Sequence, residues 1–397
     1  MSNFNAQSGG EIIGEGGFGC IIKPGVTCKG NKIKSDKFVT KIQVKNSTAE
    51  RELNIGKIVK QIPSYKKRFA PIVSSCKYNS KVIQMVSRKE DCNIIARKPD
   101  KKFIISKLPL VKGEEFKKYL LDNVDNDMLY TLVSSYTYLL YSIFLLNKQG
   151  IIHYDIKGEN VMYDTDRKIP IIIDFGLSLN KKDIMPAFDD PDYESRLEDY
   201  FYVYAPDYSL WCLDIHYITF LIQEPHKDIK DEIPYMVDEY IKYNKLLKKM
   251  PTVFVERFKQ LSIKQLNKYQ EMGRENAISY IIKYCDTWDV YSLSMMIMRA
   301  LQLFKNSDTD NLEFLKMFEM LLSINMHPDP SRRLNTLETY NYILDYMKTI
   351  TTKKKGEIKK IISSVTKNAL NIKKKLTSQI KYDHALSQKI SIFKENH

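Results

Sequence analysis

The order of the residues predicts an α+β fold in two lobes, because a β-rich first third precedes a helix-rich remainder. Short β-branched runs broken by Gly, Lys and Asp fill residues 11–45, whereas apolar residues recur at helical spacing from about Glu114 onward. No self-similar repeat is present to suggest a solenoid. Two lobes with a cleft between them is the architecture that such segregation favours.

The elements follow in chain order. "EIIGEGGFGCIIKPG" and "KFVTKIQV" read as hairpin strands. A helix starts at Ser47, where "STAE" has the capping-box pattern and "LNIGKIV" supplies an apolar stripe. Further strands are expected at 81–86 ("KVIQMV") and 102–107 ("KFIISK"), and a long helix over 126–148. Inside that helix the apolar run from Leu132 to Leu146 holds Ser134, Ser135, Thr137, Ser142 and three tyrosines. It is too short and too polar for a membrane span and reads as a buried core helix. The stretch "GIIHYDIKGENVMYD" follows, then a strand "IPIIID" ending at Asp174. Beyond Ala205 the pattern is mostly helical.

Composition sets the bounds. A chain of 397 residues with 43% apolar and 28% charged content can bury a sizeable core and is not globally disordered. Its six cysteines (Cys20, Cys28, Cys76, Cys92, Cys212 and Cys285) are scattered, with no CxxC pair. That argues for reduced thiols in a cytosol-like compartment and against a disulfide or zinc framework. "MSNFNAQSGGEI" has neither the basic nor the apolar region of a cleavable leader. The net charge of +14 is uneven: residues 350–397 carry twelve lysines against three acids, leaving only +5 for the rest. By charge alone the body is therefore no nucleic-acid surface, and no specific nucleic-acid site is evident.

Four constellations carry chemistry. Gly14-Glu15-Gly16-Gly17-Phe18-Gly19 is a GxGxxG, followed not by a helix but by "CIIKPG", which leaves a glycine-rich hairpin able to lay backbone N–H groups over phosphates. Lys41 sits on the apolar strand "FVTKIQV", and Glu52, with Glu50 as the alternative, is the carboxylate to hold it. Asp155 and Asn160 lie five residues apart with Lys157 between them, and Asp174-Phe175-Gly176 follows. Phosphoryl transfer needs a base to orient the attacking hydroxyl, oxygen ligands for Mg²⁺ and cations to offset charge on the γ-phosphate. Asp155 suits the base, Asn160 and Asp174 the metal, and Lys157 the γ-phosphate.

Together "GEGGFGCI", "VTK", "HYDIKGEN" and "DFG" resemble the eukaryotic-type protein kinases, whose set is GxGxxGxV, a strand lysine, HRDxKxxN and DFG. Tyr204-Ala205-Pro206-Asp207 resembles the APE motif. "WDVYSLSMM" resembles the segment whose aspartate, Asp289 here, anchors the catalytic loop, and "DPSRRL" resembles the late DPxxR, whose Arg333 would pair with Asp207. The resemblance covers about Ile12 to Tyr346. It implies a bilobal kinase-like fold over residues 10–346, with an N-lobe over about 10–108, a C-lobe over about 114–346 and a helical insertion over about 208–285, then a basic extension over 347–397. It implies ATP- and Mg²⁺-dependent (or Mn²⁺-dependent) transfer to Ser/Thr hydroxyls of proteins. Nucleotide contacts would run along Ile13, Gly14, Glu15, Gly16, Gly17, Phe18, Gly19, Cys20 and Ile21, with Lys41 on the α- and β-phosphates and Glu52 holding it. In flavour the chain looks most like kinases of large DNA viruses of protists, which implies a host-cytoplasmic or virion location. The alternatives are a small-molecule kinase of the aminoglycoside or choline type and a pseudokinase scaffold.

Departures from the family pattern carry information. Tyr154 replaces the HRD arginine that clamps a phosphorylated activation loop, which implies activity without such a clamp. Lys41 and Glu52 are only eleven residues apart, and Gly56 stands where an apolar residue is usual. Tyr200 occupies the position of a threonine near the acceptor hydroxyl. In the extension, apolar residues at 358, 361, 362, 365, 369, 372, 376 and 380 form a helical stripe opposite lysines. Such a helix packs its stripe on its own domain, or meets an acidic partner or anionic surface.

Overall fold

The computed structural model describes residues 11–16, 19–29, 31–33, 36–77, 92, 95, 101–350 and 352–396. The strand expected over 81–86 and two loop residues, Gly17 and Phe18, lie outside them. The chain is α+β, and it divides into two compact units. One holds the described residues up to Lys112, together with Ile173–Leu177 and the residues from Ser387. The other holds Gly113–Ile172 and Ser178–Leu386.

The first unit is built on an antiparallel sheet of β1 (Glu11–Gly16), β2 (Gly19–Lys23), β3 (Phe38–Val44), β4 (Ser74–Lys77) and β5 (Phe103–Pro109), in the order β1-β2-β3-β5-β4. Strand β3 is buried on both faces because apolar side chains cover the sheet from each side. Ile22, Ile42, Phe103 and Ile105 belong to one cluster, and Val39, Ile72 and Leu108 to another. Gly19 is required where β2 meets β3: its φ is +155°, and a Cβ there would lie 2.0 Å from the Ile42 carbonyl oxygen.

Helix α1 (Ser47–Val59) begins three residues after β3 ends. Its N-cap is Asn46, one residue before the expected capping box, and the Asn46 side chain accepts from Ala49 N at 2.9 Å. The helix runs unbroken through Gly56. The missing side chain there admits the Ile72 backbone, whose carbonyl oxygen would sit 3.1 Å from a Cβ.

The cysteines correct the sequence expectation. Cys20 is joined to Cys92 and Cys28 to Cys76, and only Cys212 and Cys285 remain as buried free thiols. The pairs are 72 and 48 residues apart, so no local spacing announces them. Only the folded sheet brings their Cα atoms to 6.0 and 5.9 Å. The argument for a reducing compartment rested on all six thiols, and it no longer holds for four of them.

The second unit opens with β6 (Gly113–Glu115), α2 (Phe116–Asp122) and α3 (Met128–Lys148). The small strands β7 (Ile151–Ile152), β8 (Val161–Asp164), β9 (Ile169–Ile172) and β10 (Leu179–Asn180) pair antiparallel as β6-β8-β9 and β10-β7. The remaining helices are α4 (Lys181–Ile184), α5 (Tyr193–Tyr200), α6 (Leu213–Gln223), α7 (Ile229–Tyr243), α8 (Thr252–Met272), α9 (Arg274–Lys283), α10 (Trp288–Leu301), α11 (Glu313–Asn325), α12 (Thr336–Lys348), α13 (Thr352–Lys367) and α14 (Ala369–Asn396).

Helix α3 is long and apolar enough to cross a membrane by length and composition, but most of that stretch is covered by other elements. It packs on α10, α12 and β9, and its Tyr136 hydroxyl meets Ser294 Oγ at 3.3 Å. That is the behaviour of a core helix. Every residue of α10 is buried, which makes it the axis of this unit. The extension packs its stripe inward, with Ile358, Ile361, Val365, Ile372 and Leu376 all buried.

Candidate active site

In the first unit three side chains converge although the sequence separates them widely. Lys41 Nζ lies 2.9 Å from both Glu52 carboxylate oxygens and 3.1 Å from Asp174 Oδ1. β3 supplies the lysine and the second turn of α1 the glutamate, so the short strand-to-helix connection sets the pairing. Gln43 Nε2 donates to Glu52 Oε2 at 3.2 Å and fixes the carboxylate further. Burial works against the charge on Lys41, but Asp174 and then Glu52 outweigh it and raise its pKa above the usual lysine value. Burial likewise lifts Glu52, against the pull of the ammonium. Two carboxylates around one ammonium leave a net charge of −1. The Asp174 side chain is a third exposed whereas that of Glu52 is sealed.

Asp174 has φ +58°, in the left-handed region that non-glycine residues rarely adopt. The next residue, Phe175, is buried edge-on against Phe69 with ring centroids 6.3 Å apart. In the glycine hairpin, Gly14 pairs with Ile21, Glu15 with Cys20 and Gly16 with Gly19. Ile13 is 48% exposed, while Cys20 is fully buried with its sulfur bonded to Cys92. Glu15, Cys20 and Cys92 lie close enough for a metal, but both sulfurs are committed to each other.

In the second unit the stretch "HYDIKGEN" forms a buried loop ending in the short 3₁₀ turn Gly158–Asn160. Asp155 is 3% exposed. Its carboxylate receives Asn160 Nδ2 at 2.9 Å and lies 3.0 Å from Lys157 Nζ, so the expected base, lysine and asparagine form one cluster. With the Asn160 amide nitrogen donating to Asp155, the amide oxygen is the end left to ligate a cation. That oxygen is a hard donor of the kind Mg²⁺ prefers.

The sequence carries no sign of Tyr208, whose hydroxyl donates to Asp155 Oδ1 at 3.3 Å. Nor does it carry any sign of Lys117, which holds Glu159 at 3.0 Å and Asp383 of α14 at 2.6 Å.

Asp289, at the start of α10, accepts from the backbone N–H of His153 at 2.7 Å and of Tyr154 at 2.8 Å. These bonds hold Tyr154 at φ +69°, a conformation that costs on the order of 1–3 kcal/mol for a bulky residue. The Tyr154 ring is buried against Trp211, Trp288 and Phe201, and Trp211 Nε1 donates to its carbonyl at 2.7 Å. Arg333 differs from expectation. Its buried ion pair is with Asp214, at 2.6 Å, rather than with Asp207. The first turn of α6 carries Asp214 beneath the guanidinium, which His327 O and Pro328 O also hold.

Burial lifts the Asp289 carboxyl from 3.8 to about 7, with the two backbone bonds offsetting part of that rise. Between those values the folded chain binds a proton that the unfolded chain does not. The stabilisation is therefore complete below the unfolded pKa and is lost as pH climbs through the folded one. Urea unfolding of the wild type and an Asp289→Asn variant should show their stability difference shrinking as pH rises from about 4 to 7, by no more than about 1.4 kcal/mol per unit, then levelling. A difference independent of pH would refute the assignment.

No protein-family model matches the chain, and no curated protein matches it.

Proposed function

We propose that the chain is a protein kinase with a bilobal kinase-like fold, transferring the γ-phosphate of ATP to Ser or Thr hydroxyls with Mg²⁺. The observation that carries this reading is the buried Lys41–Glu52–Asp174 set, in which one ammonium is held by two carboxylates from 11 and 133 residues away. A purely structural ion pair does not need the second, part-exposed carboxylate. Phosphate handling needs both a fixed cation and a metal ligand.

In this mechanism Lys41, held by Glu52, offsets charge on the α- and β-phosphates, and the glycine hairpin covers them with backbone N–H groups. Asp174 and Asn160 are the residues that would hold the metal, which when bound would supply charge neutralisation for the phosphates. Asp155 accepts a hydrogen bond from the acceptor hydroxyl and takes its proton as the new P–O bond forms and the bond to ADP breaks. Asn160 and Tyr208 keep the Asp155 carboxylate aimed, and Lys157 meets the γ-phosphate. Positioning and electrostatics supply the rate. Tyr154, packed among aromatic rings, offers no cation for a phosphorylated loop, so activity does not depend on one.

Transfer of ³²P from γ-labelled ATP to a basic protein, set beside transfer to small alcohols, tests the reading. The protein is expected to be labelled and the alcohols not, and Asp155→Asn should lower the rate by about 100-fold or more. Equal labelling by the variant, or labelling of the alcohols alone, would overturn it.

A further inference from the structure

A cavity of about 390 Å³ opens where the loop after α7, the end of α10 and the tail helix α14 come together. Lys245, Lys249, Arg299 and Lys375 line it, with Gln302 and Ser378, and no carboxylate does. Among the described residues neither Lys249 nor Lys375 has an ion-pair partner. Lys245 lies over the Tyr382 ring at 3.6 Å, a contact that leaves its charge unneutralised. Arg299 is only 5% exposed. One of its Nη groups meets Asp383, while its buried Nε has no hydrogen-bond partner.

Asp383 is already shared between Arg299 and Lys117, and Glu319, beside the cavity, is held by Gln302 Nε2 at 2.7 Å and by Lys305 at 3.0 Å. The crowding has an electrostatic signature. Burial and then Lys375 and Arg299 lower the pKa of Lys249, and burial and then Arg299 lower that of Lys245. Like charges held together around a hollow, at a cost to each, point to a missing anion.

We propose that this cavity binds a ligand carrying clustered phosphate groups. A single anion leaves most of the charge uncompensated, whereas two or three adjacent phosphates match four cations and the Ser378 hydroxyl. The volume suits a small molecule or a headgroup and is too small for a nucleic-acid duplex or a protein helix. The ligand joins α14 to the loop after α7, so it ties the basic extension to the insertion. None of these residues belongs to the proposed kinase site, and the inference stands apart from that reading.

Calorimetric titration of the full chain with inorganic tripolyphosphate tests it. Binding should weaken by about tenfold or more in Lys249→Ala/Lys375→Ala, whose side chains are exposed. It should be unchanged in Lys373→Ala/Lys374→Ala, which removes the same amount of charge, from α14, outside the cavity. Absence of binding, or equal weakening in the two pairs, would overturn the proposal. Co-sedimentation with vesicles containing phosphatidylinositol bisphosphate separates the sources. Capture lost in the Lys249/Lys375 pair supports a lipid headgroup, and tripolyphosphate binding without capture supports a soluble ligand.

Discussion

Replacing Arg333 by methionine should lower the unfolding midpoint by about 10 °C, since stranding a buried charge costs about 3–5 kcal/mol and each kcal/mol shifts a domain of this size by about 2–4 °C. The guanidinium and the Asp214 carboxylate are both almost wholly shielded, and they meet at 2.6 Å. Without Arg333 the carboxylate keeps two neutral donors, the Tyr269 hydroxyl at 2.8 Å and the Cys212 thiol. The cost lies in the orphaned charge rather than in lost attraction. An Arg333→Met/Asp214→Leu double variant should therefore recover most of the stability, short of the Tyr269 bond worth about 1 kcal/mol. Scanning calorimetry of the three proteins decides the point. A single variant within about 2 °C of wild type, below even 1 kcal/mol on the scale above, would mean that water reaches Asp214.

Lys41→Met is expected to lower kcat for the proposed phosphate transfer on the order of 10²–10³-fold, the usual cost of removing one preorganised electrostatic contact. Methionine matches the length of the lysine stem but leaves Glu52 and Asp174 without their shared cation. Lys41→Arg should not restore the rate. A planar guanidinium cannot occupy the point where a single ammonium lies 2.9 Å from both Glu52 oxygens and 3.1 Å from Asp174. Glu52→Gln should be milder, because Asp174 still holds the lysine. Steady-state kinetics with ATP varied reads all three variants. Wild-type turnover in Lys41→Met would remove this lysine from the chemistry.

Local patterns announced much of the fold. β-branched runs marked β1, β2, β3 and β5, and helical spacing marked α1, α3 and the extension, because one buried face imposes a period on its residues. The strand expected to reach Asp174 stops at Ile172, since Asp174 takes a left-handed backbone that no ladder accommodates. The pairing of Lys41 with Glu52, and the gathering of Asp155, Lys157 and Asn160 in one loop, followed from motif order, whereas the approach of Asp174 to Lys41 did not. The rest depended on tertiary placement alone. Nothing in "YAPDY" says that Tyr208 turns toward Asp155, or that Arg333 chooses Asp214 over Asp207. The disulfides escaped for the same reason, as did the four cations gathered from three separate segments.

The Asp383–Lys117–Glu159 chain of ion pairs bears on biosynthesis. Lys117 and Asp383 are 266 residues apart, so the support beneath the loop that carries Asp155 is completed only once α14 has been made. Until that helix leaves the ribosome, Lys117 and Arg299 are two cations without their shared anion in a partly formed core. The loop then lacks the buttress that holds Glu159 from behind. A nascent chain therefore completes the support of that loop only after α14 has been made, however early the loop itself is synthesised.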